Sequence, residues 1–254
     1  MKKLLQGIIL GLSLILPGMS GGTAFVIMGM YTRVLDDISS FNLKPYLIFG
    51  IGTGGGLLLW AFVISHLLDN WPEPVYAFLL GALWASAPLL LKNRENRLNM
   101  PFTWKRTLTL LGGVIIGLVI AVEPLAVFQL GNPESFPVVF FAGAISSATM
   151  LIPGVSGSAV LLILGIYHEI LGFLRHFAWI PLGIFSLGCV LGLLGLARLL
   201  KYAYLRYQHF FSFFISGLII GSGRTLFPTE ITPVVFAAAL AGAYAVTRWG
   251  GKSV

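Results

Sequence analysis

The segment Leu-Pro-Gly-Met-Ser-Gly-Gly-Thr at residues 16–23 recurs as Ile-Pro-Gly-Val-Ser-Gly-Ser-Ala at residues 152–159. The two prolines lie 136 residues apart, and the same spacing relates identical residues as far as Ser86 and Ser222. A repeat with such a long period predicts two halves of similar structure. In an apolar chain, helix-breaking loops at matching places in two halves indicate a transport site.

The composition predicts an integral membrane protein. Of the residues, 57% are hydrophobic and 10% are charged, and the mean hydropathy is +0.92, so the chain cannot cover its surface with polar side chains. In a soluble protein the net charge of +7 would indicate nucleic acid as a partner. Here the basic residues lie in short loops between apolar runs, where they set the membrane topology. We therefore expect no nucleic-acid partner, and the single cysteine, Cys189, excludes a disulfide framework.

Six apolar segments have about the length that a membrane crossing requires. They are residues 45–68, 75–91, 104–122, 181–201, 208–223 and 233–248. The segments that flank the first motif, 4–16 and 24–36, are shorter, so each motif is predicted to form the tip of a re-entrant hairpin near the middle of the membrane. Segment length alone favours this hairpin over two thin full spans. The predicted fold is an all-α membrane protein with a single membrane domain and two inverted-topology repeats, 1–125 and 137–254, each with one re-entrant hairpin and three transmembrane helices.

The basic residues predict the orientation in the membrane. If the first hairpin returns to its own side, 14 of the 16 Lys and Arg residues face one compartment, which the positive-inside rule makes the cytoplasm. These residues are Lys2, Lys3, Arg33, Lys44, Lys92, Arg94, Arg97, Lys105, Arg106, Arg198, Lys201, Arg206, Arg248 and Lys252. Both termini are then cytoplasmic. Because each repeat crosses three times, the second repeat enters upside down, and the two tips are expected to meet near the midplane.

The two motifs are candidate anion-binding loops. Their structural positions are Pro17, Gly18, Pro153 and Gly154, which end one half-helix and allow the chain to reverse. Backbone N–H groups at the start of the next half-helix, together with nearby hydroxyls, can bind an anion. The predicted binding residues are Ser20, Gly21, Gly22, Thr23, Ser156, Gly157 and Ser158. The alternative is that serine only caps the half-helix and glycine only permits close helix packing.

Four charged or titratable residues are further candidates. Arg175 and Arg224 face outward against the positive-inside bias, which suits capture of an anion from the outer leaflet; both could instead snorkel to lipid headgroups. Glu169 and His168 lie near the outer mouth of the second hairpin, where either could carry a proton or simply sit at headgroup level. The loop 92–106 is expected to bind anionic membrane lipids on the cytoplasmic face.

The sequence disfavours an enzyme. Neither Ser20 nor Ser156 has a histidine in its loop to act as a base, and the chain lacks a zinc-protease His motif, a carboxylate cluster and a phosphate-loop motif. We expect no metal and no cofactor. The sequence leaves open whether the protein forms a homo-oligomer.

The paired Pro-Gly-x-Ser-Gly loops are each followed by Gly-x-Tyr, at residues 29–31 and 165–167. In these motifs, and over essentially its whole length, the chain resembles the bacterial polyprenyl-phosphate transporter family, whose members are described as undecaprenyl phosphate translocases. The resemblance implies return of undecaprenyl phosphate from the outer to the cytoplasmic leaflet, which recycles the lipid carrier of cell-wall synthesis. The hairpins are also similar to those of undecaprenyl diphosphate phosphatases, but the glutamate-rich loop of that group is absent.

Two alternatives to this transport remain at the level of sequence. One is a secondary transporter or channel for a small soluble anion, and the other is a membrane lipid phosphatase. Transport of the lipid phosphate also requires energy, because a phosphate monoester carries a charge of about −1.5 to −2. Moving this charge to the negative inner side of the membrane costs roughly 2.3 kcal/mol per charge per 100 mV. Coupling to a proton or another cation is therefore expected.

Overall fold

The protein is helical throughout the part of the chain that the structure describes, and no strand occurs there. This structure is a computed structural model that describes residues 2–15, 20–42, 44, 46–91, 101–121, 132 and 135–250. The first half contains α1 (Lys2–Ile15), α2 (Gly21–Ile27), α3 (Tyr31–Ser39), α4 (Tyr46–Asn70), α5 (Pro72–Leu90) and α6 (Trp104–Ile120). The second half contains α7 (Phe136–Thr149), α8 (Gly157–Ile163), α9 (Tyr167–Arg175), α10 (Trp179–Arg206), α11 (Gln208–Ser222), a 3-10 turn (Gly223–Leu226) and α12 (Pro233–Gly250).

The elements recur with the period of the sequence. Adding 136 to the bounds of α2 and α3 gives the bounds of α8 and α9, and adding 136 to the last residue of α4 gives the last residue of α10. Backbone angles repeat as well, because Phe41 and Phe177 have φ angles of 57° and 49°. Such angles are uncommon for a bulky residue, so their presence at equivalent positions shows that the halves share detailed backbone geometry.

Within each half, the first helix packs along the long helix through glycines. A Cβ on Gly7 of α1 would overlap the carbonyl oxygen of Phe49 on α4, and a Cβ on Gly143 of α7 would overlap the carbonyl oxygen of Phe185 on α10. Since lipid provides no hydrophobic drive for helix association, close backbone approach at small residues is what stabilises such pairs. The pairs α1 with α4 and α7 with α10 are therefore equivalent.

The remaining long helices exchange partners between the halves, since α5 packs along α12 and α6 packs along α11. A Cβ on Gly81 would overlap the carbonyl oxygen of Ala239, and one on Gly217 would overlap that of Leu110. These partners, Leu110 and Ala239, lie 129 residues apart and not 136, because residues 91–103 connect α5 to α6, whereas only residues 227–232 connect the 3-10 turn after α11 to α12. The two halves are thus intertwined.

Three of the six predicted spans are helices long and apolar enough to cross a membrane, among the residues that the structure describes. They are α4 with 25 residues, α5 with 19 and α10 with 28. The other three are helical too, but α6 and α11 have only 17 and 15 residues and α12 has an apolar stretch of 233–248. The fold is therefore that of an all-α membrane protein. The predicted lipid-binding loop lies outside the described residues at 92–100.

Each motif is followed by two helices with a break between them. The single continuous segment expected at 24–36 is therefore wrong. Helix α2 stops at Ile27, and its equivalent α8 is bent by 110° from α9. The cause is a glycine in the left-handed region, with φ of 66° at Gly29 and 69° at Gly165. In the first break Gly29 donates to the Val26 carbonyl and Met30 to the Phe25 carbonyl. This pattern closes a helix, so the Gly-x-Tyr sequence terminates each short helix.

Candidate functional site

The two motif segments are in direct contact. The N–H of Gly22 donates to the carbonyl oxygen of Met150 at 2.9 Å, and the N–H of Gly154 donates to Thr23 Oγ1 at 2.9 Å. The repeat predicts this meeting of the loops, which places the start of α2 against the loop that precedes α8. Pro153 is buried in this junction, whereas Pro17 and Gly18 lie outside the described residues.

Most polar groups of the first loop are occupied by protein partners. Ser20 Oγ accepts from the Thr23 N–H at 3.2 Å and donates to the Ile152 carbonyl at 3.3 Å. The N–H of Ala24 donates to the Ser20 carbonyl. Ser20 and Thr23 are 3% and 0% exposed. In this conformation the N–H groups of Ser20 and Gly21 have no acceptor among the described residues.

The second loop is open by comparison. Ser156 precedes α8 but does not cap it, and its hydroxyl lies 2.8 Å from that of Ser158 on the exposed side. No described residue accepts a hydrogen bond from the N–H of Gly157, Ser158 or Ala159. Three N–H groups and two hydroxyls therefore lie together at one end of α8. Such a set of donors can bind a phosphate or carboxylate.

The glycines of the loops have different surroundings. A Cβ on Gly22 would lie 2.6 Å from the Leu151 carbonyl oxygen, and one on Gly157 would lie 2.7 Å from Met150 Cγ. Around Gly21, in contrast, the nearest atom to a Cβ would be the Met150 carbonyl oxygen at 4.0 Å, although Gly21 is itself buried. Gly22 and Gly157 are therefore packing glycines, whereas a methyl group at Gly21 would make only an ordinary contact.

Arg224 lies two residues after Ser222, which is next to the second loop in space. Gly154 has a φ of 85°, and a Cβ there would be 2.5 Å from Ser222 Oγ, at the end of α11. The next residues form the 3-10 turn that carries Arg224, which is exposed and forms no ion pair with a described carboxylate. Trp84 anchors this turn: its Nε1–H donates to the Ile220 carbonyl at 3.1 Å. The sequence did not identify Trp84, because the repeat places isoleucine at its equivalent position.

Helix α9 carries the other three candidates. Arg175 is exposed at its C-terminal end, and His168 is exposed near its start. Glu169 is half-buried, and its Oε2 atom is buried without a hydrogen-bond partner. The structure describes no contact that joins these three side chains to the loop residues. Among the described residues, no group of three His, Cys, Asp or Glu side chains could hold a metal ion.

Comparisons with known proteins agree on one family. The family model described as VCA0040-like, undecaprenyl phosphate translocase-like, matches residues 2–73 and 57–241. A polyprenyl-phosphate transporter of Vibrio cholerae serotype O1 is 30% identical over 90% of this chain and 78% of its own length. A polyprenyl-phosphate transporter of Staphylococcus aureus is 27% identical over 92% of this chain and 88% of its own length. No solved structure is a significant match.

Proposed function

Because the chain belongs to the undecaprenyl phosphate translocase-like family, we propose that it carries undecaprenyl phosphate from the outer to the cytoplasmic leaflet of the bacterial plasma membrane. This movement returns the lipid carrier of cell-wall synthesis to the side where it is reloaded. Relatives named as polyprenyl-phosphate transporters support the substrate class. Their description as transporters also fits a protein that moves the phosphate without hydrolysing it.

The observation that carries this proposal is the cluster of free donors in the second loop. A phosphate monoester offers three strong acceptor oxygens. Gly157, Ser158 and Ala159 present three N–H groups without described acceptors, beside the hydroxyls of Ser156 and Ser158, which are hydrogen-bonded to one another. On the other side of the junction, the N–H of Gly21 has no described acceptor, and a Cβ at Gly21 would have only the Met150 carbonyl oxygen within 4.0 Å. The proposed site is shared by the two motifs, with the phosphate bound first at the second loop.

The arrangement of the halves supports transport between leaflets. The pair α1 and α4 packs like the pair α7 and α10, and the long helices α5, α6, α11 and α12 join one half to the other. If the halves have inverted topology, as the charge distribution predicts, each motif loop is the tip of a hairpin from one side of the membrane. Both termini are then cytoplasmic, and Arg175 and Arg224 face the leaflet from which the substrate is collected.

Inward movement of a negative phosphate requires compensation by positive charge. Glu169 is the proposed proton carrier, because it is predicted to lie near the outer mouth of the second hairpin and its Oε2 atom is buried without a described hydrogen-bond partner. His168, the exposed neighbour, is the alternative group for this role. Protonation of one of them at the outer side would offset part of the charge carried inward.

The test of the proposed function is movement of undecaprenyl phosphate in reconstituted vesicles. We expect Ser156→Ala with Ser158→Ala to slow transport by roughly tenfold or more, because a hydrogen bond to a charged group contributes about 1.5–3 kcal/mol. The matched control is Ser186→Ala, since this exposed serine on α10 donates only within its own helix. Wild-type transport by the double variant would contradict the assignment of the site, and phosphate release without movement would contradict the function.

A second prediction concerns Arg224. We expect Arg224→Gln to weaken capture of outer-leaflet substrate several-fold, because Arg224 lies two residues after Ser222, which is next to Gly154 of the second loop, and has no described carboxylate partner. Arg206→Gln is the control, since Arg206 is also exposed but ends α10 on the predicted cytoplasmic side. The measurement is initial transport rate against substrate density. Equal curves for the two variants would remove Arg224 from the site.

A further inference from the structure

The two hairpins are not docked alike, although their sequences and helices are equivalent. Helix α3 of the first hairpin packs against the C-terminal part of α10. There Lys201 Nζ lies 3.2 Å from Asp36 Oδ1 and donates to Ser39 Oγ at 3.3 Å. The guanidinium of Arg198 lies 5.5 Å above the ring of Phe41. An ion pair, a hydrogen bond and a cation–π contact thus hold the first hairpin to the other half.

The second hairpin lacks the corresponding packing. Its helix α9 packs on α8 and α10, but it does not pack along α4 as α3 packs along α10. The side chains show the difference, because Ile38 of α3 is 8% exposed whereas its equivalent Leu174 of α9 is 52% exposed. Tyr31 is buried against Phe211, whereas the equivalent Tyr167 is only half-buried. The second hairpin is therefore undocked.

The same asymmetry occurs at the motif loops. The docked first hairpin has its Gly22 N–H bound to the Met150 carbonyl of the other half. The equivalent bond, from the Ser158 N–H to the Leu14 carbonyl, is not formed among the described residues. The undocked hairpin is consequently the one whose loop has free donors. Docking of a hairpin and closure of its loop occur together in this structure.

The repeat identifies the residues that would hold the second hairpin if it docked. Arg175 stands at the position of Ser39, Ser65 at that of Lys201, and Asp69 at that of Leu205. On α4, Ser65 Oγ lies 3.5 Å from Asp69 Oδ2, so both side chains face the same way. The charges are reversed relative to the first half: the cation is now on the hairpin and the acid on the long helix.

Two further features favour such docking. Phe62 of α4 and Phe177 are 82% and 66% exposed, and they stand at the positions of Arg198 and Phe41, so an aromatic contact would replace the cation–π contact. In the present conformation, moreover, the hydroxyl of Tyr31 is buried without a hydrogen-bond partner. An unsatisfied buried hydroxyl is unfavourable, and release of α3 from α10 would relieve it.

We propose that the protein has a second conformation in which α9 docks on the C-terminal end of α4, with Arg175 paired to Asp69, while α3 leaves α10. In that state the Ser158 N–H binds the Leu14 carbonyl and the first loop gains free donors. The two loops then offer their donors alternately, which is how two packings of similar energy can pass a ligand between sides. This inference rests on the proposed function, because alternation is useful only to a transporter.

Cross-linking tests this second conformation directly. In a Cys189→Ser background, Ser65→Cys with Gly172→Cys places thiols at the equivalents of Lys201 and Asp36, and the Gly172 position has no neighbour within 4 Å of a Cβ. Thr32→Cys with Leu205→Cys reports the present conformation, since both residues line the cleft beside the ion pair. We expect a short bis-methanethiosulfonate to join both pairs in the purified protein.

Charge variants show whether the two docked states are coupled. Asp36→Asn should raise the yield of the Ser65/Gly172 cross-link by about two- to fivefold, the range expected for loss of a partly exposed ion pair. Asp37→Asn is the matched control, because Asp37 bonds Tyr46 and Asn42 instead of Lys201, and it should leave the yield unchanged. Arg175→Gln should lower the yield.

Two results would overturn the inference. One is a Thr32/Leu205 cross-link without any Ser65/Gly172 cross-link in all backgrounds, and the other is a Ser65/Gly172 yield that neither Asp36→Asn nor Arg175→Gln changes. Cross-linking requires no substrate. Polyprenyl-phosphate transport without the second cross-link would therefore contradict this inference alone, whereas the second cross-link without such transport would contradict the proposed function alone.

Discussion

Replacing Gly21 by alanine is expected to reduce polyprenyl-phosphate transport roughly a hundredfold without lowering thermal stability, whereas Gly22→Ala should lower both. The neighbouring glycines differ in their surroundings. A methyl group on Gly21 has its nearest atom at 4.0 Å, but one on Gly22 would lie 2.6 Å from the Leu151 carbonyl oxygen. Alanine at 21 therefore fits the fold and intrudes only on the space proposed for the phosphate.

Gly22→Ala should instead push the two motif loops apart and break the hydrogen bond to the Met150 carbonyl. Overpacking of this kind costs about 1–3 kcal/mol, so a lower unfolding temperature in detergent is expected. The measurements are thermal unfolding and vesicle transport on the same preparations. Normal transport by Gly21→Ala would show that the space beside Gly21 does not hold the phosphate.

The second large effect is expected at Gly154. Its φ of 85° and its contact with Ser222 Oγ leave no room for a side chain, so Gly154→Ala should cost about 1–2 kcal/mol from the backbone angle alone and more from overlap. The second loop would then move away from the end of α11 and from the turn that carries Arg224. We expect loss of nearly all transport together with a lower unfolding temperature.

Gly195→Ala is the control for this substitution. Gly195 lies within α10, and a Cβ there would have no neighbour within 4 Å, so alanine should slightly stabilise the helix and leave transport intact. Both variants are compared by unfolding temperature and by initial transport rate at equal protein content. Wild-type behaviour of Gly154→Ala would contradict the close contact between the second loop and α11.

Several features of the protein follow from the sequence because they depend on local chemistry or on likeness between segments. The apolar composition requires a membrane setting, and the recurrence of Pro-Gly-x-Ser-Gly identifies two equivalent loops. The Gly-x-Tyr that follows each loop also contains the signal for the helix break at Gly29 and Gly165, although segment length alone does not indicate that break. The sequence alone therefore identifies the two loops and the family.

The sequence alone indicates only part of the exchange of helices between the halves. The sequence period of 136 is lost after Ser86 and Ser222, because the connection to α6 is longer than the connection to α12. Only the contacts of Gly81 and Gly217 reveal that the last helices remain equivalent at a spacing of 129. Equivalent residues keep a constant spacing only if the loops of the two halves are equally long. Two helices, in contrast, pack wherever small residues on their surfaces allow a close approach.

What the sequence by itself determined is that the chain has two like segments and that each carries a Pro-Gly-x-Ser-Gly loop with serine hydroxyls. Only the tertiary structure decided which glycine packs against the opposite loop, which loop keeps free donors, and which hairpin is docked. The physical reason is symmetry: equivalent sequences permit equivalent contacts on both sides, so local pattern cannot choose between them. That choice is made by long-range contacts such as Gly22 with Met150 and Asp36 with Lys201, which exist only once the two halves have packed.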